Sequence, residues 1–204
     1  MNLPNILTST RLVFAPVFFL LAFSPTWFDA PVLPIYIILV LIFIYIELTD
    51  IADGYIARKK NLVTDLGKVL DPFSDVVSRV SYFLAFVVLE IMPPAAFLLI
   101  LYREIGIIFI RMVLAQKGIA LAARKGGKLK SVLYFIASAL GLLVLGDAWL
   151  DIFGALGASA GFSRTAELLV PGVFWLSAIF AIGSFVDYLL VFRSHIRSDD
   201  AADS

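Results

Sequence analysis

The chain contains no cysteine and a single histidine in 204 residues. Disulfides, thiolate nucleophiles, iron–sulfur clusters, c-type haem and ordinary zinc sites are therefore excluded. Charge is scarce too: 16% of the residues are Asp, Glu, Lys or Arg, against roughly 25% in an average soluble domain. The 16 cations balance the 16 anions, which removes the net basicity that would draw nucleic acid. At 61% hydrophobic residues, neither a soluble globular enzyme nor a disordered chain fits. Any bound metal must be held by oxygen, which points to Mg²⁺, Mn²⁺ or Ca²⁺.

What the chain has instead is apolar runs. Charge-free stretches occur at Leu12–Phe28, Ala30–Ile46, Val80–Leu89, Ile91–Tyr102, Ser131–Gly146 and Leu168–Val186. Extended by their flanks, they predict six helices at about 5–23, 33–58, 69–91, 94–117, 129–147 and 167–193. Each approaches the ~20 residues that cross a bilayer core. The expected fold is an all-α, polytopic membrane protein with one six-helix bundle, a single domain over residues 1–197 and a polar tail over 198–204. Gly154–Gly161 reads as a flexible external loop. Gly183 and Ser184 read as a small-residue contact between helices. Ala22-Phe23-Ser24 resembles a signal-peptide cleavage box. However, no Lys or Arg precedes Arg11 and Pro25 follows at once, so the N-terminal segment reads as an amphipathic stretch leading into the first helix rather than as a signal peptide. Arg58, Lys59, Lys60, Lys68, Lys117, Arg124, Lys125, Lys128, Lys130, Arg193 and Arg197 collect on one side of the membrane, and Arg164 alone on the other. That bias directs both termini and the basic loops to the cytoplasm.

The informative residues are charges inside or beside these runs: Glu47, Asp50, Asp53, Asp65, Asp71, Asp75, Arg79, Arg103, Glu104, Arg111 and Asp187. Four aspartates facing lipid at mid-depth would cost on the order of 10–14 kcal/mol. They must line a protected cavity or lie near the interface, and they need cations. Asp50 and Asp53 are three apart and Asp71 and Asp75 four apart, so each pair shares one helix face. Such a set suits one or two hard divalent cations that keep positions open for phosphate oxygens. Gly54 and Ala57 continue the Asp50 stripe and leave room for something flat or bulky. Arg58 adds positive charge for a polyanion, and Gly67 opens the third helix.

Written out, the stretch is Asp50-x2-Asp53-Gly54-x2-Ala57-Arg58-x8-Gly67-x3-Asp71-x3-Asp75. It resembles the signature of the CDP-alcohol phosphotransferase family at all eight positions. The opening Leu3-Pro4-Asn5-Ile6-Leu7-Thr8-Ser9-Thr10-Arg11, the Arg103-Glu104 pair with Arg111, and Gly127-Lys128-Leu129-Lys130 are similar to the family's bacterial phosphatidylglycerophosphate synthase branch. The resemblance covers about residues 2–135. It implies a six-helix membrane enzyme, generally a homodimer, in the bacterial cytoplasmic membrane. Such an enzyme joins the phosphoryl group of a CDP-linked lipid donor to an alcohol and releases CMP. It also implies two divalent cations, Mg²⁺ or Mn²⁺, on Asp50, Asp53, Asp71 and Asp75, with Asp75 the general base. Asn5, Thr8, Gly54, Ala57, Arg58 and Gly67 would surround the CDP group.

A small phosphorylated acceptor such as glycerol 3-phosphate needs a cationic site, and Arg103, Arg111, Lys128 and Lys130 are the residues for it. Glu104 reads as the neutralising partner of one of them. Arg79, one turn past Asp75, either reaches the same cavity or offsets the charge of Asp75. The chain departs from the branch at Val76, where Lys is usual, at Ser131, where Thr is usual, and at Tyr134, where Gln is usual. Another acceptor such as inositol phosphate, or CDP-choline or CDP-ethanolamine with diacylglycerol, are the alternatives within the family. Outside it stand a cation or proton transporter, which calls for inverted repeats or interrupted spans, and a non-catalytic scaffold, which leaves the four aspartates unexplained.

Overall fold

The computed structural model describes residues 2–60, 62, 64–116 and 125–200. Among them all regular structure is helical: α1 (Leu3–Phe28), α2 (Val32–Lys59), α3 (Asp65–Val88), α4 (Pro94–Gln116), α5 (Lys125–Leu150), the single turn α6 (Ile152–Ala155) and α7 (Ala160–Asp200). Four segments are long and apolar enough to cross a membrane: Leu3–Phe28, Val32–Ala57, Leu129–Leu150 and Gly161–Leu190. Helices α3 and α4 fall outside that set, because both carry the charges singled out above.

The six expected helices correspond to the six long ones, with shifted ends. Among the described residues no separate amphipathic lead precedes α1. Asn2 caps the helix by accepting a hydrogen bond from the Asn5 backbone N–H (3.2 Å), and α1 runs unbroken through Pro16 and Pro25. Helix α3 stops at Val88, earlier than expected, because Glu90 adopts a left-handed backbone (φ 60°). That turn tucks Ile91 and Met92 into the core. Helix α5 begins four residues early, where buried Lys130 anchors its first turns. Gly154–Gly161 is not an open loop. Asp147 accepts from the Phe153 backbone N–H (2.7 Å), Phe153 packs edge-on against Phe162 (5.1 Å), and α7 starts at Ala160. It continues to Asp200, and the tail beyond that residue lies outside the described residues. Of the expected small-residue contact, Ser184 is buried but Gly183 faces open space.

Helix α1 packs on α2 and α3, α5 on α7, and α4 on α7 and α3. The buried stripe of α1, Pro4, Thr8, Arg11, Ala15, Phe18 and Ala22, recurs every three or four residues, as one helix face must. Its lower half is apolar and enters an aromatic core. Phe18 meets Tyr82 edge-on (4.9 Å), Phe43 meets the same ring (5.6 Å), and Phe83 contacts Tyr134 (5.5 Å) and Phe174 (5.6 Å). Five helices are thereby locked together by pairs worth about 0.5–1.5 kcal/mol each beyond area burial. The polarity of the bundle is inverted. Val13, Leu41, Leu48, Ile105, Phe109, Leu168 and Leu190 point outward, while Arg11, Asp53, Arg103, Glu104 and Lys130 are buried. Apolar surface on that scale asks for lipid rather than water.

Candidate active site

The polar half of the α1 stripe meets the aspartates. Arg11 is 1% exposed and its guanidinium contacts all four. Nη1 donates to Asp50 Oδ1 (2.6 Å) and Asp75 Oδ1 (2.6 Å), and Nη2 donates to Asp53 Oδ2 (2.8 Å) and Asp71 Oδ1 (2.7 Å). Asp53 also accepts from the Thr8 hydroxyl (2.6 Å). Carboxylates withdrawn from water need such charge-assisted bonds. Carboxylate oxygens of Asp50, Asp53 and Asp71 lie within 4.8 Å of one another, and Asp75 shares a guanidinium nitrogen with Asp50. Hard oxygen donors converging on one positive group fit a divalent-cation site.

Two cavities border this quartet. The smaller, about 170 Å³, is walled by Asn5, Thr8, Gly54, Ala57 and Gly67, with Asp53 and Asp71 among its other residues. Five of the six residues expected around a CDP group are therefore brought together. The side chain of the sixth, Arg58, lies outside the described residues. The cavity is held by a polar staple from the start of α1 to the α2–α3 turn. Asn2 Nδ2 donates to Leu62 O (2.7 Å), Asn5 Nδ2 donates to Thr64 Oγ1 (3.1 Å), and Thr64 caps α3 by accepting from the Gly67 N–H (3.0 Å). Space is tight at Gly67: a Cβ there would stand 2.9 Å from Asn5 Oδ1 and 3.1 Å from Thr64 Oγ1, so the staple would have to shift.

The larger cavity, about 370 Å³, is lined by Asp75, Arg79, Arg103, Glu104, Arg111 and Lys130, with Val76 and Ser131 on the same wall. Three of the four residues expected to hold an acceptor phosphate meet here. The side chain of Lys128 lies outside the described residues. Glu104 accepts from Arg103 Nη1 (3.1 Å to each oxygen) and from Lys130 Nζ (2.6 Å), so it pairs with two cations rather than one. Arg103 Nη2 donates across to Ser184 Oγ (3.1 Å).

The sequence pattern alone assigns neither Arg11 nor Thr64 to the site, and marks Tyr134 only as a departure from the family pattern. A signal for Arg11 existed: it is the lone cation of α1, three residues past Thr8 on the stripe that faces inward. Thr64 carried only a weak signal, as a capping residue ahead of Gly67.

A family model described as CDP-alcohol phosphatidyltransferase matches residues 1–160, a stretch that includes the quartet and nearly all of both cavity walls. The chain is 34% identical over 198 residues to a CDP-diacylglycerol–glycerol-3-phosphate 3-phosphatidyltransferase of Treponema pallidum, covering 94% of this chain and 89% of that protein. It is 34% identical over 142 residues to the Bacillus subtilis protein of the same description, covering 67% of this chain and 74% of the relative. A probable phosphatidylglycerophosphate synthase of Mycobacterium tuberculosis is 35% identical over 169 residues, covering 83% of this chain and 76% of the relative. By a match that runs through the four aspartates and well beyond them, this chain belongs to the CDP-alcohol phosphatidyltransferase family.

Proposed function

We propose that the protein transfers a phosphatidyl group from CDP-diacylglycerol to glycerol 3-phosphate, giving phosphatidylglycerophosphate and CMP. The observation that carries this reading is the juxtaposition of the two cavities on one carboxylate quartet, one small and sparsely charged, the other lined by Arg79, Arg103, Arg111 and Lys130. A free alcohol such as choline would favour aromatic or anionic walls; a phosphomonoester needs cations. The names of the relatives point to the same acceptor.

Asp50, Asp53, Asp71 and Asp75 would hold two divalent cations, Mg²⁺ or Mn²⁺. When bound, these ions neutralise the pyrophosphate and the departing CMP. Asn5, Thr8, Gly54, Ala57 and Gly67 seat the cytidine end, with Arg58 toward the pyrophosphate. Arg103, Arg111, Lys128 and Lys130 hold the acceptor phosphate. Asp75, which faces the acceptor cavity, takes the proton from the attacking hydroxyl. The hydroxyl oxygen bonds to the lipid-bearing phosphorus, and the bond from that phosphorus to the CMP oxygen breaks in line.

The spans of α3 and α4 complete six crossings, supported by the outward Leu98, Ile105, Phe109 and Met112 of α4. The bias of Lys and Arg supports cytoplasmic termini and a cytoplasm-facing site in a bacterial membrane. Residues 1–197 form one catalytic domain that works as a homodimer.

The decisive experiment measures CMP release in mixed micelles with Mg²⁺ or Mn²⁺. CDP-diacylglycerol is offered with glycerol 3-phosphate, inositol phosphate, inositol or serine, and diacylglycerol with CDP-choline or CDP-ethanolamine. Turnover with glycerol 3-phosphate alone is expected. Asp75→Asn should lower the rate on the order of 10²–10⁴-fold in protein that still elutes as a folded species. Turnover confined to another arm reassigns the acceptor.

A further inference from the structure

The lining of the larger cavity carries four cations, Arg79, Arg103, Arg111 and Lys130, against two carboxylates, Asp75 and Glu104. An excess of cations suits a phosphomonoester, which bears about −1.5 to −2 near neutral pH. The cations are not built alike. Glu104 binds both Arg103 and Lys130, and Ser184 takes the remaining arm of Arg103. Those two are tied into the α4–α5–α7 framework. Arg79 comes from α3 instead. Its Nη1 stands 3.8 Å from Asp75 Oδ2, an ion-pair distance too long for a hydrogen bond, and Asp75 already accepts from Arg11.

Asp75 pairs with Arg79 from its own helix, and an aromatic ring lies against it from another. The guanidinium carbon of Arg79 lies 5.5 Å from the centroid of Tyr134, and Lys130 Nζ lies 4.7 Å from the same centroid. Tyr134 is 1% exposed and is packed edge-on by Phe83. The tyrosine therefore serves as a fixed aromatic shelf that gathers two like charges at the cavity wall. Cation–π attraction helps keep them there, and a dianion between them would relieve their repulsion.

We infer that Arg79, held on the ring of Tyr134, binds the acceptor's phosphate and sets it one turn of α3 away from Asp75. This rests on the acceptor reading above. Arg79 then links the two ends of the acceptor: its fork reaches the phosphate while the neighbouring turn presents the carboxylate that meets the hydroxyl.

The test compares wild type with Arg79→Gln, Arg79→Lys, Tyr134→Leu and Tyr134→Phe in detergent. KM for glycerol 3-phosphate, KM for CDP-diacylglycerol, binding of radiolabelled glycerol 3-phosphate and binding of Mn²⁺ by electron paramagnetic resonance are measured for each. Arg79→Gln should raise the glycerol 3-phosphate KM and weaken its binding about 10- to 100-fold, the worth of a charged hydrogen bond. The CDP-diacylglycerol KM and the Mn²⁺ affinity should stay put. Arg79→Lys, which keeps the charge and loses the fork, should fall between. Tyr134→Leu should weaken acceptor binding, and Tyr134→Phe, which keeps the ring, should recover most of it. Should Arg79→Gln not fold, Arg79→Lys decides on the same readouts. An unchanged acceptor KM alongside a lower kcat or altered Mn²⁺ binding would make Arg79 merely the counter-charge of Asp75 and overturn the inference alone. A wild-type protein that neither binds nor uses glycerol 3-phosphate overturns the acceptor reading and this inference together.

Discussion

The two cavities are built on different physical terms. The smaller one is framed by an amide, two hydroxyls and small residues, Asn5, Thr8, Thr64, Gly54, Ala57 and Gly67, with the backbones of α1, α2 and α3 drawn close. Its selectivity is one of shape and hydrogen bonding. The larger one is framed by opposed charges on α3, α4 and α5, clamped through Glu104. Its selectivity is one of charge. The proposed donor, with a flat base, and the proposed acceptor, with a phosphate, call for those two solutions, and Arg11 joins the cavities by bonding every aspartate of the quartet between.

The largest effect should come from the junction. Arg11→Gln leaves four clustered carboxylates without their shared cation, and removing one partner of a buried pair costs about 3–5 kcal/mol. Thermal unfolding in detergent with a chelator should register that loss, and added Mn²⁺ should restore most of it. A deficit unaffected by Mn²⁺ would mean that Arg11 works through packing. Next is Glu104→Gln, which strands Arg103 and Lys130 for about 3 kcal/mol. It should raise the acceptor KM and spare the CDP-diacylglycerol KM; equal changes in both would merge the two cavities into one electrostatic unit. The smallest effect is steric. Gly67→Ala pushes a methyl group against Asn5 and Thr64 at a cost of about 1–3 kcal/mol. It should raise the donor KM several-fold and leave the acceptor KM alone. A matching rise in the acceptor KM would break the distinction from the other side.

Much of the helical layout was legible because apolar run length and side-chain period are local properties. The ends of α3, α5 and α7 were not. They depend on a left-handed Glu90, on Lys130 buried against Glu104, and on an edge contact between Phe153 and Phe162 that closes a segment whose glycines suggest looseness. In the site, Asp50 with Asp53 and Asp71 with Asp75 could be read as facing pairs from spacing alone. Ser131 and Tyr134 could be seen as departures from the family pattern, but not that one lines the cavity while the other lies buried beneath its cations.

By itself, the sequence determined the membrane class, the all-helical build, oxygen as the predominant metal ligand available and the four aspartates at their spacing. Each follows from composition or from geometry within one helix. Only the tertiary structure decided that Arg11 sits at the centre of the quartet, through bonds spanning 39 to 64 residues. It also decided that Glu104 binds Lys130 from another helix and that the ring of Tyr134 lies against the guanidinium of Arg79. Those are choices among several cations and several carboxylates of equal local merit. They are settled by which faces the aromatic core presses together and by the cost of leaving any one charge unpaired.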